Sequence, residues 1–519
     1  MANLDSHKEK IAIGVGYAPP EKWNFNWEGD DFKMVEINKM IIYQIYMSTF
    51  FGEMSRDGES FIDVDKKLAY LKILGINAME LIMEPPGTVM DLVSDASEGH
   101  LTPDQAKYSP MAFANLVKTA HIHGIGVIMA VDYLHFGSRD RDLGKSFDRP
   151  ENEKEDFLSG DGPWTPREIP DFERSAIRKS IRDHVFMWLE AYHCDGIRVK
   201  DTDFIRNAAG EDAHSENGHL LLKEINGEIR TKYPNKLLIA EDTGKKGFVI
   251  EPLVKGGLGF DIQWDPLFFH NIRFVLAQAR DEDRTIQFIV DALAHTYGKN
   301  PFSRVVYSES ASEMAKGMPR LPEEIHPGCA DSPYAIKRSI IGAVITLTAP
   351  GIPLLFQGQE FITPGFFVGD ERPDWDKMSH LQGIPQLFGD LIKLRKSDYN
   401  DYAGLQGGQL DFFHFNRECN ILAYRRSHTD HSDHRVMVVI NLSNVDFKKY
   451  VIGLPENGKW KLVFNSSSKV YDNSGTLLDT NDFMTQEKPY DGLPYQGSFA
   501  LPKYSALLFI HYAMGSGGE

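Results

Sequence analysis

The chain has 519 residues, of which 42% are hydrophobic and 25% charged, and its formal net charge is −18. It is long enough for one large globular domain and a smaller one. The acidic surplus repels phosphate backbones and anionic lipid, so neither nucleic acid nor a membrane is an expected partner.

Three cysteines, Cys194, Cys329 and Cys419, stand far apart and offer neither a disulfide framework nor metal-ligand spacing. The amino terminus, MANLDSHKEKIAIG, carries no basic-then-apolar leader, and no apolar run approaches membrane-spanning length. The expectation is a reducing cytoplasm, with no metal and no cofactor. The last residues, MGSGGE, read as a flexible tail at 514–519.

In chain order, residues 1–38 are a polar lead-in with an aromatic cluster from Trp23 to Trp27. MIIYQIYMSTFFG, Met40 to Gly52, is β-branched and aromatic and predicts a buried first strand. KKLAYLKILG predicts a helix ending at Gly75, and INAMELIMEPP a strand closed by Pro85 and Pro86. MAFANLVKTAHIHG and IGVIMAVDYLH repeat the helix and strand, followed by a long polar segment from Phe136 to Phe172. SAIRKSIRDHVFMWLEAYH is amphipathic, with Ile177, Ile181, Val185, Trp188 and Leu189 on one stripe, and it feeds HCDGIRVKDTDF. LLLKEINGEIRTKYP and LLIAED continue the alternation. GLGFDIQWD, the helix TIQFIVDALAH and RVVYSES come next, then AIKRSIIGAVITLTAPG and IPLLFQGQEF. Strands alternating with helices in this way predict an α/β fold, a parallel (β/α)8 TIM barrel over residues 39–398.

From about Tyr402 the helical period disappears. LDFFHF, NILAYRR, HRVMVVINLS, KYVIGL, KWKLVFNS and SALLFIHY are short strands, which predict a C-terminal antiparallel β-sandwich over 399–513.

His193 to Phe204 is the stretch around which a function would be built. An apolar strand there ends in Arg198, Lys200, Asp201 and Asp203, and parallel barrels collect their chemistry at the carboxyl ends of strands. The same charges would also suit a loop that only solvates the barrel top.

GIGVIMAVDYLHFG, CDGIRVKDTDFI, LLIAED, RVVYSESASE and TAPGIPLLFQGQEF fall in the order of the motif regions of the alpha-amylase family of glycoside hydrolases. Over roughly residues 38–513 the chain resembles that family, and most of all its glucan branching enzymes. The carbohydrate-binding sandwich that usually precedes the barrel in those enzymes has no counterpart in the lead-in. The resemblance implies retaining glycoside transfer: one carboxylate attacks the anomeric carbon, a second carboxyl group protonates the leaving oxygen, and an Asp holds the substrate hydroxyls.

Carried over residue by residue, the acid/base falls on Glu241 and the arginine on Arg198, and His135 is retained. The nucleophile position, however, holds Lys200. The His-Asp pair after the seventh strand falls on Ala311 and Ser312, and the third-strand Asp and Asn fall on Ala130 and Leu134. The stacking segment after the second strand is replaced by GTVMDLVSDASEGH, which offers no sugar platform. An ammonium cannot attack as a carboxylate does, and it repels a developing oxocarbenium ion.

Asp132, two residues past Ala130, points the same way along a strand; it is either a new inward carboxylate or a salt-bridge partner for Lys200 or Arg198. Asp201, one residue past Lys200, is expected to point away from the axis. Lys200 itself is either a charge-neutralising partner of Glu241 or Asp132, or a working group.

Three readings follow. The first is a non-hydrolytic protein that binds a glycan or small polar ligand, with Arg198, His135, Asp203 and Glu313 as contacts. The second is a repurposed lyase, isomerase or cyclase using Lys200, Glu241 and Asp132 on a small polar or anionic molecule. The third is residual α-glucan hydrolysis or branching through Glu241, with Glu313 or Glu309 standing in for the lost acid. The sequence leaves the oligomeric state open.

Overall fold

The computed structural model describes residues 24–51, 59–83, 110–133, 172, 175–206, 216–244, 247–367, 382–396, 403–428, 435–471 and 478–513. Eight strands close a parallel barrel in sequential order: β1 (Ile42–Tyr46), β2 (Ala78–Ile82), β3 (Gly126–Val131), β4 (Gly196–Val199), β5 (Leu237–Ala240), β6 (Ile262–Trp264), β7 (Arg304–Val306) and β8 (Ile352–Phe356). The strands are short, buried and mostly apolar, as a sheet lined by helices requires, with charged exceptions such as Glu80 on β2 and Arg198 on β4. The helix Ser175–Phe186 buries Ile181 and Val185, and a π turn, Met187–Ala191, carries its stripe on through Trp188 and Leu189.

The barrel departs from the sequence reading at β1 and after β6. The first strand stops at Tyr46, and Met47–Phe50 forms a helical turn, so the apolar run changes structure midway. Between β6 and TIQFIVDALAH the structure adds a helix, Pro266–Ala277, which the sequence reading passed over. Its start was legible: the Asp265 side chain accepts from Phe268 N at 3.1 Å, and Pro266 sits in the first turn.

The chain folds as two compact units, one of residues 1–34, 45–69 and 79–264 and the other of 35–44, 70–78 and 265–519. In the first, β3, β4 and β5 pair in even register, with Ala130 opposite Arg198 and Arg198 opposite Ile239. In the second, Tyr43 donates to Glu360 Oε1 at 2.8 Å and Tyr70 to the same oxygen at 2.9 Å. Burial pushes the Glu360 carboxyl above its ordinary range despite these donors.

The second unit also holds the C-terminal antiparallel sheets. Six strands run in the order β14 (Phe483–Met484), β13 (Gly458–Asn465), β16 (Ser505–Ala513), β11 (Arg435–Asn441), β10 (Ile421–Ser427) and β9 (Gln409–Asn416). A two-stranded ribbon, β12 (Phe447–Leu454) with β15 (Tyr495–Leu501), faces them. The layer between is apolar: Met437, Val439, Trp460 and Phe509 meet Ile452, Leu454 and Leu501. The sequence reading missed β14 and β15. Among the described residues no helix is long and apolar enough to cross a membrane.

Candidate functional site

The ladder of β3, β4 and β5 aligns one row of side chains. Val131, Val199 and Ala240 are the last paired residues, and Lys200 N to Val131 O and Glu241 N to Val199 O, each 2.9 Å, extend the pairing by one bond. Asp132, Lys200 and Glu241 therefore follow the same row at the carboxyl ends of adjacent strands.

Asp132 Oδ2 accepts from Lys200 Nζ at 3.1 Å, with the two side chains 23% and 18% exposed. Of the partners the sequence offered Lys200, the structure pairs it with Asp132. Glu241 instead receives Arg198, whose Nη1 donates to Glu241 Oε2. The Arg198 Nε lies 2.8 Å from Glu80 Oε1, and its guanidinium lies 4.8 Å from the Trp264 ring centroid. Burial works against this charge, but Glu80 and Glu241 together hold the guanidinium above the usual arginine range. Tyr46, buried nearby, has its hydroxyl pushed up to about 12, chiefly by burial.

Asp201 leaves the strand. Its φ is +48°, in the left-handed region, and its carbonyl accepts from Phe204 N at 3.0 Å to begin the helix Thr202–Arg206. Strand alternation therefore does not govern its side chain, contrary to the sequence argument. Thr202 joins this turn to β5, with its N and Oγ1 donating to Glu241 O at 2.8 and 3.0 Å.

Asp203 accepts from Thr243 Oγ1, and its Oδ1 is buried without a hydrogen-bond partner among the described residues. Burial raises this carboxyl above its ordinary value; the Thr243 bond opposes the shift and nearby Asp242 adds to it. Asp242 is engaged by Arg206, Nε to Oδ2 at 2.9 Å.

In the second unit, Glu313 lies on the helix Ala311–Ala315, capped by Ser310, and pairs with Lys316 at 3.3 Å. Ser312, at the lost-acid position, is buried. Glu309 is also buried; its Oε1 accepts from Leu321 N at 2.7 Å and its Oε2 lies 2.9 Å from Arg320 Nε. His135, Leu134 and GTVMDLVSDASEGH lie outside the described residues.

Of the candidate residues, the structure thus brings Lys200, Asp132 and Glu241 to one strand-end layer, with Arg198 two residues below reaching up to Glu241 and Asp203 on the short helix that follows. Sequence reasoning missed Glu80 and Trp264. A glutamate inside the apolar run INAMELI was the available signal, because a charge buried in a strand needs a partner. Among the described residues no cluster of His, Cys, Asp and Glu is arranged to hold a metal ion.

Residues 414–512 match the alpha amylase C-terminal all-beta domain. The chain is 25% identical over 515 residues to the 1,4-alpha-glucan branching enzyme GlgB of Corynebacterium diphtheriae, covering 91% of this chain and 65% of that one. The chain is similar to the alpha-amylase family. The Picrophilus torridus 1,4-alpha-glucan branching enzyme GlgB is 24% identical, covering 93% of this chain and 68% of that enzyme. The chain therefore spans about two thirds of the length of these curated relatives.

Solved structures agree on the fold of this amylase relative. An Anoxybacillus alpha-amylase superposes with a TM-score of 0.66 at 14% identity, covering 93% of this chain and 100% of that one. A pullulanase complexed with maltotetraose from Anoxybacillus sp. LM18-11 gives 0.64 at 17% identity, covering 92% and 72%.

Proposed function

We propose that this amylase-fold protein binds an α-glucan or similar polyhydroxylated ligand at the carboxyl ends of the barrel strands without cleaving it. The observation that carries this reading is the pair Lys200–Asp132 at 3.1 Å. A nucleophile for retaining transfer must be an anion facing the anomeric carbon. Here the resemblance assigns that position to a cation, and the inward carboxylate beside it is occupied in neutralising that cation. Glu241, the retained acid/base position, is bound by Arg198. His135 and Asp203 are the proposed ligand contacts; Arg198, fully buried between Glu80 and Glu241, positions Glu241 instead, and Glu313 belongs to the second unit. A catalytic role for Lys200, Glu241 and Asp132 belongs to the repurposed-enzyme reading.

Residual glucan branching or hydrolysis is the second reading, favoured by the likeness to branching enzymes over 91% of the chain. Calorimetric titration with maltoheptaose, run alongside a reducing-end and branch-transfer assay on amylose, separates the two. Saturable binding without new reducing ends or branch points is expected. Turnover that disappears in Glu241→Gln would overturn the binding reading and establish the second.

A further inference from the structure

At the opposite, amino-terminal ends of β3, β4 and β5 the first unit holds a second cluster of charges. Asp195, just before β4, accepts from Val127 N at 2.9 Å and lies 3.5 Å from Lys236 Nζ, just before β5. His121, at the end of the helix Pro110–Ile122, meets Asp195 Oδ2 through Nε2 at 2.9 Å and Asp30 Oδ1 through Nδ1 at 2.7 Å. The other oxygen of Asp30 lies 3.1 Å from His193 Nδ1. His121, Asp30 and Asp195 are all buried in this arrangement.

Asp30 belongs to the lead-in, and Asn26, Trp27, Glu28, Phe32 and Met34 of that segment lie against the same surface. Lys118 donates to the carbonyls of Asn26 and Glu28 at 2.8 and 3.0 Å. Trp27 stacks on His193 at 4.0 Å and Phe32 on His121 at 4.6 Å. Met34 fills the space over Gly126, where an added Cβ would lie 2.1 Å from its sulfur.

We propose that residues 24–34 form a pH-operated strap, closed while His121 is protonated between Asp30 and Asp195 and loosened when it is neutral. The chemistry is one of donor count. An imidazole touching a carboxylate through each nitrogen satisfies both only as imidazolium; the neutral ring has one N–H and turns a lone pair on the other acid. Asp195 keeps Val127 N and Lys236, whereas Asp30 keeps only His193 among the ionisable groups at the cluster. Asp30, and the strap with it, is the side that gives way.

Burial opposes the His121 charge, but the two carboxylates outweigh it and hold the ring above its ordinary value. Its stabilisation is therefore fully present below the unfolded-state value and is lost as pH rises through the folded one. His193 runs the other way. Burial draws it below its ordinary value against the pull of Asp30, and Lys236 and His121 push in the same direction as burial, so its contribution is lost as pH falls.

Hydrogen exchange on the whole chain, corrected for intrinsic chemistry, tests this. Protection of amides 24–34 should fall about tenfold between about pH 6.5 and about pH 9.5. In Asp30→Asn it should be low already at the lower pH and change no further. His121→Gln, whose amide has no proton to lose in this range, should also lack the pH response; Asp30→Asn, altered on the strap itself, serves if His121→Gln does not fold. Equal wild-type protection at both pH values, or a wild-type response surviving in Asp30→Asn, would overturn the proposal.

Discussion

Arg198 Nε lies 2.8 Å from Glu80 Oε1, and both side chains are fully buried. With Glu241 on its other side and Trp264 beneath it, Arg198 ties β2, β4 and β5 together. Removing one partner leaves the other charged and without water. Glu80→Ala should therefore destabilise the protein by about 3–5 kcal/mol, read as a lowered denaturant midpoint. An unchanged midpoint would mean that Glu80 contributes nothing to holding Arg198.

Lys200 and Asp132 are partly exposed, so solvent screens their attraction. Lys200→Met should cost no more than about 1 kcal/mol in denaturant unfolding. On the binding reading, the same variant changes glucan affinity and produces no new reducing ends. A loss of several kcal/mol would make the lysine a structural keystone instead.

Asp203 is a half-buried carboxyl with one oxygen, Oδ1, buried and lacking a donor among the described residues. Its raised value means that the fold favours the protonated acid, so its contribution is present at low pH and is lost as pH rises through the folded value. Asp203→Asn should stabilise the protein at neutral pH by about 1 kcal/mol. Its advantage over wild type should shrink in thermal melts as pH falls below the carboxylate range. A variant less stable than wild type at neutral pH would contradict the assignment.

Trp460 is fully buried between the C-terminal sheets, stacked on Phe483 at 6.5 Å. Trp460→Ala should open a cavity costing about 3–5 kcal/mol. Circular dichroism melts would register it, and a cost below about 1 kcal/mol would show that the layer collapses around the gap.

Elements with a strong period were legible from the chain alone. The stripe from Ile177 to Leu189 and the β-branched run GIGVIMAV gave a helix and a strand because a single periodicity dominated each. Pro266–Ala277 was hidden because PLFFHNIRFVLA is apolar on nearly every side, leaving only its Asp265–Pro266 start as a signal. The ribbon strand β15, YQGSFAL, alternates weakly and is held by pairing with β12 rather than by its own pattern.

Residue identity and order alone settled that a lysine stands at position 200, two residues beyond Arg198 on a barrel strand, and that Glu241 closes the next strand. Which carboxylate each cation takes was decided only by the fold. Salt-bridge choice depends on distances across strands about 40–120 residues apart, and local spacing carries no such information. The even register of β3, β4 and β5 sets Asp132 beside Lys200. Arg198 reaches both Glu80 and Glu241, and the lead-in brings Asp30 to His121, 91 residues away in the chain.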